Sequence, residues 1–304
     1  MHIRVLGSAA GGGFPQWNCN CRNCAGLRQG RVRARPRSQS SIAIGADGGG
    51  WVLCNASPDI RAQLEAFPAL QPGRAARDTA LVAVVLVDAQ IDHSAGLLVL
   101  RESPQPLAVY TTEAAHQDLT GGLPLLAVLE RYCGVRHRSI PVDGEPFFID
   151  GAPGLRFTAV PLGGKAPPYS PRRGAACPGD TIALQAEDVA SGATLFYAPG
   201  IGAMDASVRG IMQRADCLLV DGTFWSEDEL VVQGLGHKYA RDMGHLPQAG
   251  PGGMIEQLRA CERPRKVLIH INNSNPILDE DSPERARLQA EHIEVAHDGM
   301  ELHL

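Results

Sequence analysis

The stretch Val87-Asp88-Ala89-Gln90-Ile91-Asp92-His93-Ser94-Ala95-Gly96 puts two carboxylates and an imidazole into a few residues, directly after an apolar run. Such a set can ligate a cation or move protons, and the ends of buried strands are where α/β proteins place such groups. A surface turn is the competing reading, because Asp is common in turns. A second cluster, Cys19-Asn20-Cys21-Arg22-Asn23-Cys24, carries three thiols that a loop can turn toward one centre. Tetrahedral zinc held by thiolates suits that arrangement in a reducing compartment, with a fourth ligand from elsewhere and a structural role. Chance clustering or a redox pair is the alternative. The thioredoxin-like option is weakened because no Cys-x-x-Cys is expected to open a helix after a strand.

Three more polar stretches follow: Asp221-Gly222-Thr223-Phe224-Trp225, His237 through Pro247 with His245 in a Gly-His-Leu-Pro turn, and His270-Ile271-Asn272-Asn273-Ser274-Asn275-Pro276. The first and last each close an apolar, strand-like run, as the Asp88 cluster does. His270 alone would read as a satisfied core histidine. Asp221 either orients an imidazole or caps its strand.

The elements that must position these groups alternate between strand and helix. Leu81–Val87 reads as a fully buried strand, being short, continuous and β-branched, and a short helix is expected from Ser94 to Leu100. Further strands are expected at Met1–Leu6, Ser41–Ile44, Trp51–Cys54, Leu107–Tyr110, Leu155–Val160, Thr181–Gln185, Thr194–Ala198, Cys217–Val220, Lys266–Ile269, Ile293–Val295 and Met300–Leu304. Helices are expected from Ser57 (as N-cap, before Pro58) to about Phe67, from about Thr112, over Asp205–Ala215, around Met254–Cys261 and from Ser282-Pro283. Residues 163–179 form a long loop of the kind that covers a site. No linker and no repeat interrupts the pattern, so a single α/β domain over 1–304 is expected, with a Cys-rich zinc loop at about 14–26.

Composition sets bounds on function. With 44% hydrophobic and 20% charged residues in 304, the chain can bury a core, and a net charge of −5 argues against general nucleic-acid binding. Arg31, Arg33, Arg35 and Arg37 alternate, as a solvated loop or as a rim attracting an acidic substrate. Cys54, Cys133, Cys177, Cys217 and Cys261 are scattered and read as buried free thiols. No apolar run approaches the ~18 residues of a membrane span, and Met1 to Leu6 lacks the layout of a signal peptide, so a cytoplasmic protein is expected. Gly7-Ser8-Ala9-Ala10-Gly11-Gly12-Gly13 is not a dinucleotide loop, since Phe14-Pro15 and the cysteines follow where a helix should open.

The Asp92-His93-x-x-Gly96 window resembles the metallo-β-lactamase superfamily motif His-x-His-x-Asp-His, with Asp88 and Gln90 standing where its leading histidines belong. The cysteine triplet is similar to that of the cyclic phosphodiesterase of phosphonate breakdown. Together, Trp17-Asn18-Cys19-Asn20-Cys21, Asp92 to Gly96, Arg241-Asp242-Met243-Gly244-His245 and His270-Ile271-Asn272-Asn273 resemble the coenzyme PQQ synthesis protein B family. The resemblance spans nearly the whole chain. It implies an αββα sandwich of two mixed β-sheets flanked by helices.

It also implies roles. Asp92, His93 and His270 match one metal site of the superfamily. The other site expects histidines at Asp88, Gln90 and Gly164 and a bridging aspartate at Pro199, and none is there. The remaining two imidazoles and one carboxylate are the donor set of non-haem Fe(II) oxygenases, whereas a two-metal hydrolase needs both sites. His245 corresponds to a general acid in the phosphodiesterases, or it holds substrate or a water beyond the metal's own ligands; Asp221 is counted with it among the candidate catalytic residues. Cys19, Cys21 and Cys24 would hold zinc with Asn273 at the position of the fourth ligand. The implied activity is iron- and O2-dependent hydroxylation of the tyrosine ring of a Glu-Tyr-derived PQQ precursor, a small peptide or amino acid. Carriage of PQQ or a precursor without catalysis, and hydrolysis with a single zinc, stay open, as does a homodimer.

Overall fold

A computed structural model describes all of residues 1–304. Its strands are β1 (His2–Gly7), β2 (Ser41–Gly45), β3 (Trp51–Cys54), β4 (Leu81–Val85), β5 (Leu107–Thr111), β6 (Val135–Ser139), β7 (Pro146–Phe148), β8 (Leu155–Pro161), β9 (Ile182–Asp188), β10 (Thr194–Ala198), β11 (Cys217–Asp221), β12 (Arg265–Ile269), β13 (Ile293–Val295) and β14 (Glu301–His303). The chain divides into two compact units. The first comprises residues 1–7, 40–194 and 299–304, and the second residues 8–39 and 195–298.

In the first unit β14-β1-β2-β3-β4-β5-β6 form one mixed sheet, antiparallel from β14 to β3 and parallel from β3 to β6. The β-branched run at β4 lies inside this sheet, and Val84, Leu86 and Val109 join Leu53, Ile60, Leu97, Leu119 and Leu129 in one buried cluster. A strand paired on both sides and buried on both faces needs such a continuous apolar sequence. β4 ends at Val85, two residues short of the expected Val87. Leu86 N donates to Tyr110 O at 2.9 Å and Val87 N to the Asn55 side-chain oxygen at 3.1 Å. The chain is thereby led out of the regular strand and into the Asp88 turn. β7, β8 and β9 add an antiparallel meander.

The turn itself is tighter than expected. Ile91–Ser94 is a single helical turn, and Ala95–Glu102 continues as a 3-10 helix. Gly96 is required there: a Cβ would lie 2.0 Å from Ser57 O and 2.7 Å from Ala56 O. Ser57 does not cap the next helix, which runs Ile60–Glu65. Its hydroxyl instead donates to Gln63 Oε1 at 3.0 Å. Two strands were not anticipated. β6 carries Arg136, His137 and Arg138, which mark a charged edge rather than an apolar run, and β7 has only three residues.

The second unit is built on the parallel strands β10-β11-β12-β13. The register sets Asp221 beside Ile269, at the ends of β11 and β12. Helix Ala206–Arg214 is capped by Asp205, which accepts from Val208 N at 2.8 Å, and Pro283–Ala290 is capped by Ser282. The cysteine segment departs from the expected loop: Arg22–Arg28 is helical, with Cys21 as its N-cap and Cys24 inside.

Candidate metal centres

In the first unit the Asp88–His93 turn organises one imidazole between two carboxylates. His93 is buried, and its Nδ1 lies 2.8 and 2.9 Å from the two oxygens of Asp88. Asp88 Oδ1 also accepts from Gln90 N at 2.9 Å, which fixes the turn. In the neutral ring, with Nδ1–H directed at Asp88, Nε2 is the lone-pair nitrogen, on the side where Asp92 Oδ2 lies 3.9 Å away. Burial opposes protonation of this imidazole, but the charges of Asp88 and Asp92 and the bond to Asp88 outweigh it and push its pKa up to about 9. Two carboxylates flank this one imidazole.

Asp88 therefore does more than occupy the place of an expected histidine, since it orients His93. Gly164, another such place, is closed by its surroundings: a Cβ there would lie 2.4 Å from Thr181 Oγ1. The loop that contains it is anchored on the same turn, where Tyr169 OH donates to Ala89 O.

In the second unit the ends of β11 and β12 create a network around Thr223. The Thr223 hydroxyl donates to Asp221 Oδ1 at 2.6 Å and accepts from His270 Nδ1 at 2.8 Å. That leaves Nε2 as the lone-pair nitrogen of His270. His245 Nδ1 lies 2.8 Å from Asp221 Oδ2, and the His245 and His270 rings stack at 5.2 Å and 23°. Asp221 is fully buried and also accepts from Ile201 N at 2.8 Å. Burial resists its ionisation, yet the His245 imidazole and its hydrogen bond hold the carboxyl below its ordinary value. His270 has φ = 60°, an unusual conformation for a residue with a Cβ. In the sequence Asp221 reads either as the holder of an imidazole or as a strand cap, and the structure sets its carboxylate against His245. The sequence assigns no role to Thr223, whose threonine type carries no signal of its own.

The third group lies in the same unit. The sulfurs of Cys19, Cys21 and Cys24 lie within 4.8 Å of one another. Asn273 Nδ2 is directed at all three, 3.1 Å from Cys19, 3.6 Å from Cys21 and 3.5 Å from Cys24. Asn23 holds that segment in place by donating to Asn273 O at 3.0 Å and Asn275 O at 2.8 Å. Burial raises the Cys21 pKa, but the N–H groups of Cys24 and Asn23 and the neighbouring thiols prevail and lower it. Three converging sulfurs, one on a helix N-cap, fit a zinc ion with bonds of roughly 2.3 Å, and Asn273 as it stands donates its Nδ2–H groups to those sulfurs, so that its side chain would have to turn its Oδ1 inward to serve as the fourth ligand.

Of the residues singled out in the sequence, Asp92 and His93 thus stand in the first unit. His270, His245, Asp221, Cys19, Cys21, Cys24 and Asn273 stand in the second.

Residues 50–271 match the family model described as a beta-lactamase superfamily domain. The chain belongs to that superfamily and has its α/β fold, two mixed β-sheets with flanking helices. Among curated proteins it is 63% identical over 304 residues to coenzyme PQQ synthesis protein B of Azotobacter vinelandii, covering 100% of both chains. It is 57% identical over 303 residues to that of Methylobacillus flagellatus, covering 99% of both. The chain is a member of the coenzyme PQQ synthesis protein B family. Among solved structures, Zn(2+)-bound PqqB from Methylobacterium extorquens matches with a TM-score of 0.91 and 38% identity over 100% of both chains. A diphosphatase of the PhnP family matches with a TM-score of 0.66 at 17% identity over 99% of this chain and 96% of that one, a likeness of fold. No helix is long and apolar enough to cross a membrane.

Proposed function

We propose that this protein acts in the biosynthesis of pyrroloquinoline quinone and hydroxylates the tyrosine ring of a Glu-Tyr-derived precursor. The metal set of this reading is Asp92, His93 and His270, in a cytoplasmic protein. Fe(II) in that set would supply oxidation by O2, with two electrons from an external donor.

The observation that carries this reading is the loss of the second metal position. Asp88 is committed to His93, and the backbone at Gly164 has no room for a side chain beside Thr181. A hydrolase that clamps its water and its oxyanion between two ions needs both positions. What remains suits one ion with open faces.

The chain's own residues then have separate duties. Asp88 and Thr223 set the ring tautomers of His93 and His270 so that each offers Nε2. His245, held by Asp221, is positioned to take or give a proton at its Nε2 beside the substrate phenol. The 163–179 loop, anchored through Tyr169, limits water. Cys19, Cys21, Cys24 and Asn273 hold a structural zinc that fixes the Asn272–Asn275 segment following His270.

The zinc named in the M. extorquens relative supports one other reading, hydrolysis with a single zinc at the same residues. The two are separated by anaerobic reconstitution with Fe(II), followed by assay of a Glu-Tyr peptide in the presence of an external two-electron reductant, with and without O2. Oxygen consumption matched to hydroxylated product is expected from the iron-loaded protein alone. Turnover by zinc-loaded protein without O2, or binding of the peptide with no turnover under any metal, would overturn the oxygenase.

A further inference from the structure

A second place for a metal lies within the first unit, away from the motif residues. β1 and β14 pair antiparallel with His2 directly opposite His303, and Glu301 lies two residues along on the same face as His303. The two imidazoles stack at 4.3 Å and 24°. Their Nε2 atoms lie 3.7 Å (His2) and 3.8 Å (His303) from one and the same oxygen, Glu301 Oε2. These separations exceed a hydrogen bond, and the buried Nε2 of His2 makes none.

We propose that His2, Glu301 and His303 form a binding site for a divalent transition metal, zinc being the best match, that ties β14 to β1.

Their ligand atoms all lie within 4.8 Å of one another. A zinc with bonds of roughly 2.0–2.2 Å sets neighbouring donors about 3.4 Å apart, so small side-chain rotations close the site. Two imidazoles and one carboxylate are a known zinc donor set that leaves a position for water. A cavity of about 270 Å³, lined by His2, Trp51 and His303 among others, gives that water room. Arg4 occupies the other carboxylate oxygen, Glu301 Oε1, which orients Oε2 toward the rings. It also adds a positive charge nearby, so this should be the weakest of the protein's metal sites. Tying a three-residue edge strand to its neighbour would stabilise the sheet margin by the metal's binding free energy.

Trp51 supplies an internal reporter, its ring 5.0 Å from that of His2. Protein carrying its other metals should be titrated with Ni²⁺ while tryptophan fluorescence and bound nickel are followed. One additional equivalent should bind with quenching. Trp51→Phe should keep the equivalent and lose the quench. His303→Gln, at an exposed ring that cannot disturb the core, should weaken that equivalent by roughly tenfold or more, with iron and zinc contents unchanged. Glu301→Gln should weaken it likewise. Identical nickel isotherms for the parent protein and His303→Gln would overturn the proposal, as would quenching that persists in Trp51→Phe.

Discussion

Both carboxylate oxygens of Asp88 lie within 2.9 Å of Nδ1 of His93, so the residue that departs from the superfamily's histidine holds the neighbouring imidazole. In the proposed iron site, a position lost to one metal shapes the ligand of another. Partners of this kind fix the tautomer and direction of a ligand ring, and their loss typically costs 10–100-fold in metal affinity, on the order of 1.5–3 kcal/mol.

Asp88→Ala should therefore lower iron affinity by about that factor while leaving the zinc of the cysteine cluster in place. Metal analysis after dialysis against a graded chelator measures both at once. Unchanged iron affinity would show that His93 needs no such partner.

The vacant positions make a complementary case. Asp88→His with Gln90→His should not create a second catalytic metal, because the backbone at Gly164 faces Thr181 with no space for the third ring. Adding Gly164→His should destabilise the protein by a few kcal/mol through overpacking, on the order of 1–3. A doubly substituted protein that binds two ions and hydrolyses phosphodiesters would contradict this.

Much of the scaffold was readable because burial imposes patterns. The β-branched run at Leu81 could only be an inner strand, and Asp205 and Ser282 mark helix starts by type alone. The departures have physical causes. Cys21 caps a helix although Cys is not among the residues that favour that position, so the segment reads as loop. β6 is an edge strand whose Arg-His-Arg sequence lacks the apolar alternation of a half-buried strand. At the site, the candidate ligands stood out by type and spacing, and Asp221 as a possible holder of an imidazole, but Thr223 did not. Thr223 reaches Asp221, His245 and His270 because the parallel register aligns the ends of β11 and β12, and register is a property of pairing rather than of local sequence.

Glu229 offers a test that depends on pH. It is buried, accepts from Trp225 N at 2.6 Å and from Ser274 Oγ at 2.5 Å, and burial outweighs these bonds to push its pKa from 4.5 up to about 7. Between those values the folded protein holds a proton that the unfolded chain releases, so stability falls as pH rises from about 4.5 to 7 and levels off above. At about 1.4 kcal/mol per unit, the full span is on the order of 3 kcal/mol. Glu229→Gln should remove that slope from urea unfolding measured across the window. A variant with the parent's slope would place the titration elsewhere.

Cys21→Ser should release the zinc and lower thermal stability, since Cys21 both closes the thiol cluster and caps Arg22–Arg28. Ser is itself a good N-cap, so the loss should track zinc rather than helix content. Zinc analysis and far-ultraviolet circular dichroism separate the two. Full zinc retention in Cys21→Ser would remove the cysteines from the site.

The backbone at His270 allows ligation and strain to be weighed separately. With φ = 60° the residue sits in the left-handed region, where a Cβ costs roughly 1–2 kcal/mol. His270→Ala and His270→Gly both delete the imidazole, so both should lose iron and oxygen-dependent turnover while keeping the cysteine-bound zinc. They differ only in the Cβ. Glycine relieves the strain but gives the unfolded chain more freedom, which offsets roughly 0.4–1 kcal/mol of the gain. The net should leave His270→Gly more stable than His270→Ala by on the order of 0.5–1 kcal/mol, read from urea unfolding of the iron-free proteins. Strain of this kind persists where surrounding contacts over-determine a functional residue, here the bond of His270 Nδ1 to the Thr223 hydroxyl and the parallel strand end. An alanine variant as stable as the glycine variant would mean that the left-handed turn stores nothing, and that His270 is held there by its side-chain contacts alone.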